Sequence, residues 1–431
     1  MKRYRRSLMH ILIYTLVIVF LYLFLVLMAT IPNAAIMDNM RSSVMHYANA
    51  DRYAFTEDGS YQNVTDNHAD IMWLNISWQM GSGNPFVSAL DTKYYDGERD
   101  GNTVGLFLTV TRGAQANTAY TRYWHGTAGL LRFLHLFTDI RGIKVTGFLV
   151  LLVLIWKTLR LLWRDDHGDL AICLAASLFL VQAWNLRLSV EYLPCFLICF
   201  ALCPAFLRLE RRGDRYVEYL SVVSGTLTAF FDFLTTETVT ILIPLILLIA
   251  IRSKERRLGS PRKVFRFLLR CGLCWLAAYG AAFLLKWAAV SLATGINHFS
   301  LALNSAANRV DGTVVDGLSR KKPGMFMAVV ANLTAFFRGT SRTEYGQVIL
   351  KLTVISLLIF GIYRMYQTRQ KLRPGTVFLL MLGSIVLLRY ALLANHSFMH
   401  SFFTYRALAG TVLAVLSAMV LNLRPMRKDG I

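Results

Sequence analysis

The chain has 431 residues, 55% of them hydrophobic and only 16% charged, with a formal net charge of +21. Together with a mean hydropathy of +0.46, that composition excludes an ordinary soluble enzyme and indicates a polytopic membrane protein. The 46 Lys and Arg cluster at the ends of apolar runs, the positive-inside pattern, and not on one face as a nucleic-acid partner would require.

In chain order, Lys2, Arg3, Arg5 and Arg6 precede an apolar run over 8–31. The run is long enough to cross a bilayer and longer than a signal-peptide core, so residues 1–31 read as a cytoplasmic tail and an uncleaved first transmembrane helix. Residues 32–141 form the largest polar region, with 11 acidic residues against 8 Lys and Arg. Within it 63–79 reads as helix and 105–111, GLFLTVT, as strand, which predicts a folded extracytoplasmic cap, mainly helical with minor strand. The cap closes on 120–139, YTRYWHGTAGLLRFLHLFTD. At about 100° per residue, Arg122, His125, Arg132 and His135 share one stripe, which predicts an interfacial helix whose basic side meets lipid phosphates.

Transmembrane helices two to seven are expected within 142–292, at 143–163, 170–184, 192–207, 216–233, 238–251 and 267–292. A second extracytoplasmic loop follows over 293–346, in which the apolar stretch 324–337 is too short to span and reads as another interfacial helix. Spans at 347–366, 375–393 and 402–421 then complete about ten transmembrane helices and lead to a cytoplasmic tail. The short outer connections 185–191, 233–237 and 394–401 carry only Arg187 between them, which places both termini in the cytoplasm. Several mid-chain spans are short, so their outer connections should dip into the protein, where irregular backbone is tolerated only beside a polar cavity.

The unusual polar residues fall on that outer side. Asp232 and Glu237 flank one turn, Arg187 and Glu191 another, and Lys286 and Arg389 lie near the outer ends of their spans. Asn395, His396, His400, Tyr405 and Arg406 follow in the last connection. A charge at membrane depth costs about 2.5–3.5 kcal/mol on insertion scales, so such groups are paired or functional. As purely structural pairs, Arg187 would meet Glu191 and Lys286 would meet Asp232. His396 and His400 have the spacing of a zinc ligand pair, but the HExxH glutamate and a third ligand are missing, so they suit hydrogen bonding to a phosphate better and no metal site is assigned.

Asp66 and Asp70 stand four apart in the cap, the arrangement of a general base tuned by its neighbour or of a divalent-cation site, although a solvated helix face explains the same letters. Asp38, seven residues beyond the first span, is a third candidate base. Asn63, Asn75, Asn332 and Asn395 begin glycosylation sequons on the outer side. All six Cys lie in or beside apolar runs, and the spacing of Cys271 and Cys274 reads as small-residue packing.

A first anchor, a large outer loop and an outer polar face resemble the GT-C class of integral-membrane glycosyltransferases. The strings Arg122-Tyr-Trp-His-Gly126, Phe231-Asp-Phe-Leu-Thr235, Asn395-His-Ser397 and Phe403-Thr-Tyr-Arg406 also resemble those of a set of uncharacterised bacterial multi-pass proteins, a likeness that brings no assigned activity. The GT-C likeness implies a polyprenyl-phosphate sugar donor and an acidic base in the first outer loop. Asp38 matches that location without the usual acidic doublet, since Asn39 follows it, so Asp38, Asp66 and Asp70 all stand as bases. The expected function is transfer of a sugar from the lipid carrier to a cell-envelope acceptor at the outer face of the membrane. Arg122, His125, Arg389 and Arg406 would hold the phosphate, with Asp232, His396 and His400 in the same site and a divalent cation as the one cofactor the carboxylates would suit. A transporter or flippase of a lipid-linked or anionic solute is the rival class, and a non-catalytic scaffold the third.

Overall fold

The computed structural model describes residues 2–51, 53–55, 64–97, 101–311, 314–316, 319–321, 323–338 and 373–423, with a few positions between 351 and 363. The expected span 347–366 lies largely outside the described residues, as does Asn63. The protein is all-α. Among the described residues the strands form three two-stranded antiparallel ladders: β1 (Tyr53–Phe55) with β2 (Val64–Asp66), β3 (Lys93–Tyr94) with β4 (Thr118–Ala119), and β5 (Val314–Asp316) with β6 (Ser319–Lys321).

The helices of the first third are α1 (Lys2–Ala29), α2 (Asn33–Tyr47), α3 (Asn67–Gln79), α4 (Pro85–Ser88), α5 (Gly101–Arg112) and α6 (Gly126–Leu134). The body follows as α7 (Ile140–Arg164), α8 (Gly168–Leu180), α9 (Pro194–Leu209), α10 (Asp214–Phe231), α11 (Val239–Lys254) and α12 (Pro261–Thr294). Then come α13 (His298–Asp311), α14 (Met325–Phe337), α15 (Pro374–Leu392), α16 (Ala394–Met399), α17 (Ser401–Thr404) and α18 (Leu408–Leu423). Among the described residues six helical segments are long and apolar enough to cross a membrane: Arg6–Ala29, Ile140–Arg164, Val190–Arg212, Pro261–Thr294, Pro374–Leu392 and Ser401–Leu423. The apolar α8 and α14 have 13 residues each, the latter matching the short helix expected there.

Between the long helices, α11 occupies the middle of the body. Its apolar residues run all round the helix, and every position over 239–251 is buried against α9, α15 and α18. Helix α10 packs closely along α12, and at Gly225 the backbones meet: a Cβ there would lie 2.3 Å from the carbonyl oxygen of Trp275. Gly225→Ala is therefore expected to destabilise the protein by about 1–3 kcal/mol. Gly272→Ala, at a helical position with open space around it, should be neutral or slightly stabilising. Thermal melts of the two variants in detergent compare them directly.

Two expectations fail in the cap. Residues 105–111 are not a strand but the core of α5, where Gly105, Leu106, Thr109 and Val110 form one buried helical face. Packing of that face against α3 outweighs the β-propensity of the local letters. Nor do Arg122, His125, Arg132 and His135 share a helical stripe. His125 takes a left-handed φ of 59°, so helix α6 starts only at Gly126. Arg132 then points inward and is fully buried, donating to the carbonyls of Met28, Ser77 and Ile31 and to Asn33 Oδ1. His135 is buried too, joined to Leu131 O at 2.7 Å and Ser43 Oγ at 3.0 Å. Arg132 thus ties α6 to the end of α1, and His135 ties it to α2.

The connections at the two ends of the body differ in kind. At one end Arg252 bridges Glu210 and Asp214 at 3.0 and 2.9 Å, Arg257 reaches Glu210 at 2.9 Å, and Lys254 meets Asp169 at 2.8 Å. At the other end the connections 182–193, 232–238 and 393–407 are irregular and largely buried under the cap. These are the places where the sequence indicates that backbone must dip beside a cavity.

Candidate functional site

The β1–β2 hairpin delivers Asp66 to the start of α3, where its Oδ1 caps the helix by accepting the Ala69 N–H at 2.9 Å. One turn later Asp70 faces the same way, but the two carboxylates meet different surroundings. Asp70 is sealed: Tyr47 Oη, Ser189 Oγ and the Val190 N–H donate to it at 2.8, 2.8 and 2.9 Å, and Lys144 Nζ lies 2.6 Å away. Four donors occupy its lone pairs, so its work is to fasten the cap to the 182–193 connection.

Asp66 instead lines a cavity of about 230 Å³ between cap and body and hydrogen-bonds Glu191. Glu191 is 6% exposed, and its Oε1 has no hydrogen-bond partner.

Facing the acidic pair across the cavity are cations and imidazoles. Arg122 stacks its guanidinium 4.3 Å above the Tyr120 ring and donates to Tyr120 Oη at 2.8 Å and Ser305 Oγ at 3.1 Å. Arg309, from α13, donates to His396 Nδ1 at 2.8 Å. Neither guanidinium forms an ion pair with a carboxylate among the described residues, leaving two positive charges for an anion. His396 accepts at Nδ1, so its proton is on Nε2, which donates to Leu234 O at 2.7 Å. Burial and the nearby Arg309 push its pKa well below the usual imidazole range, and the ring is neutral at pH 7. The His400 ring lies tilted beside it with ring centroids 4.6 Å apart, and His68 completes this side of the lining. With both nitrogens of His396 engaged, a zinc pair with His400 does not fit.

A second cavity of about 140 Å³ adjoins the first and shares Arg122 and Arg309 with it. Its other walls are apolar and aromatic, among them Tyr123, Phe283, Trp287 and Ala302. A charged chamber and a largely apolar cavity thus lie side by side, with two guanidiniums lining both.

The other sequence candidates lie outside this chamber. Asp38 is exposed on α2. Arg389 holds Glu237 in a two-pronged pair at 2.7 and 3.1 Å and donates to Ser397 Oγ and Leu234 O at 3.0 and 2.7 Å. Leu234 takes a left-handed φ of 68°, and that turn offers its carbonyl to both Arg389 and His396. Asp232 is buried within its own turn, accepting the Thr235 N–H at 3.0 Å. Arg406 is buried with its guanidinium 5.0 Å from each of the Tyr192 and Tyr405 rings. His125 sits behind Tyr120, 2.6 Å from its carbonyl, and burial holds its imidazole well below the ordinary pKa.

Neither structural ion pair named from the sequence forms. Lys286 donates to the Leu90 and Ala89 carbonyls beneath the cap, and Arg187 is exposed while Glu191 bonds Asp66. Two sequons are closed off as well: Asn75 exchanges hydrogen bonds with the Tyr95 backbone, and buried Asn332 bonds Ser397 O and Thr404 Oγ1. Arg309 and His68 are the cationic and imidazole lining residues that sequence reasoning missed. Comparison with family models, curated proteins and solved structures finds no match to this chain.

Proposed function

We propose that the protein is a membrane glycosyltransferase of about ten spans, both termini cytoplasmic, that moves a sugar from a polyprenyl-phosphate carrier to a cell-envelope acceptor. The observation that carries this reading is the chamber in which the Asp66–Glu191 pair opposes Arg122 and Arg309 at the mouth of an aromatic groove. A lipid chain would lie in the groove along Phe283 and Trp287, and its phosphate would meet the two guanidiniums. As the sugar–phosphate bond breaks, negative charge grows on the leaving phosphate, and fixed cations already in place stabilise it. The acceptor hydroxyl gives its proton to Asp66, which lines the chamber beside Glu191, while Asp70 holds the cap in position.

The test uses the purified chain in vesicles containing a radiolabelled polyprenyl-phosphate sugar, with a cell-envelope glycan fraction added as acceptor. Transfer releases polyprenyl phosphate in proportion to sugar lost from the carrier, and Arg122→Ala with Arg309→Ala should cut that release by about 10²–10³-fold. A transporter or flippase would carry the intact lipid-linked sugar across the bilayer and leave it unconsumed. Consumption of the carrier separates the two.

A further inference from the structure

We infer that His10, Glu218 and Cys274 form a binding site for a zinc-class divalent ion, remote from the chamber and joining α1 to α10 and α12. His10 Nε2 lies 3.6 Å from Glu218 Oε2 and 3.9 Å from Cys274 Sγ, and the three donor atoms all fall within 4.8 Å of one another. Ligand bonds of about 2.0–2.3 Å in a tetrahedral zinc site set neighbouring donors roughly 3.3–3.7 Å apart, so a small inward movement of side chains would close the cluster around an ion.

The donor set is a nitrogen, an oxygen and a sulfur, one from each of three helices, which suits a borderline-soft cation and not magnesium or calcium. Glu218 is 2% exposed and divides its two oxygens: Oε1 is held by Arg6, leaving Oε2 turned to the cluster. Such an outer partner fixes the orientation of a ligating carboxylate. The His10 ring is steadied edge-on against Tyr219, with centroids 5.2 Å apart. Cys271, one turn before Cys274, is fully buried, so the two cysteines of that motif have separate roles. On binding, the Cys274 thiol gives up its proton to solvent as the sulfur–metal bond forms.

The probe is cobalt(II) added to the purified full-length protein in detergent, followed by zinc. We expect one equivalent of cobalt with a thiolate-to-metal charge-transfer band that zinc displaces, and a zinc-dependent rise in Tm that magnesium does not give. Cys274→Ser should remove the band, Cys271→Ser should keep it, and Glu218→Gln should weaken cobalt binding about 10–100-fold. Absence of the band and of the zinc-dependent Tm shift in the unaltered protein overturns the site. So does a band that survives Cys274→Ser. The transferase reading stands apart from either result.

Discussion

Asp66→Asn is expected to lower sugar transfer by about 10²–10⁴-fold, the usual contribution of a positioned general base. Asn is also a good helix N-cap and can hydrogen-bond a carboxyl group, so it keeps the bond to the Ala69 N–H and the contact with Glu191. The loss should consequently appear in the rate of polyprenyl-phosphate release and not in Tm. Asp38→Asn, on the exposed face of α2, should release carrier at the unaltered rate. Full activity in Asp66→Asn would remove Asp66 as the base and, with it, the reason to distinguish it from Asp70.

Asp70→Ala should act in the opposite manner, through stability. The carboxylate is buried with four donors around it, and removing it strands Lys144 in an 11%-exposed position. Breaking a buried pair from one side costs about 3–5 kcal/mol because the remaining charge is uncompensated. We expect a clear drop in Tm, or loss of monodisperse protein on size exclusion. The double variant Asp70→Asn with Lys144→Met, which removes both charges, should recover much of the loss. A single Asp70→Ala variant that melts with the unaltered protein would show that the cap is fastened elsewhere.

The contrast between Asp66 and Asp70 marks what a linear reading can deliver. Their four-residue spacing is visible in the letters and correctly puts both carboxylates on one side of a helix. Which of them is sealed away from the chamber depends on Tyr47, Lys144 and Ser189, brought in from three distant stretches. Arg389 and Arg122 divide in the same way. Both are cations near helix ends, yet Glu237 neutralises the first while the second keeps only hydroxyl and ring partners. The supposed stripe of Arg122, His125, Arg132 and His135 fails because one left-handed residue, His125, breaks the helical phase on which the spacing relied. Arg309 carried no such signal, since a lone arginine on an amphipathic helix is ordinary until His396 is seen beside it.

The sequence by itself determined the class of architecture: an apolar, helix-rich chain with membrane-length segments, a polar cap after the first, and irregular connections wherever helices are too short. Those properties follow from hydropathy and chain length, which act locally and additively along the polymer. The tertiary structure alone decided which charges are spent in holding the fold and which face an open chamber. A charge is neutralised by whatever lies within a few ångströms, and at that range the neighbours of Asp66, Asp70 and Arg122 come from segments far apart in the chain.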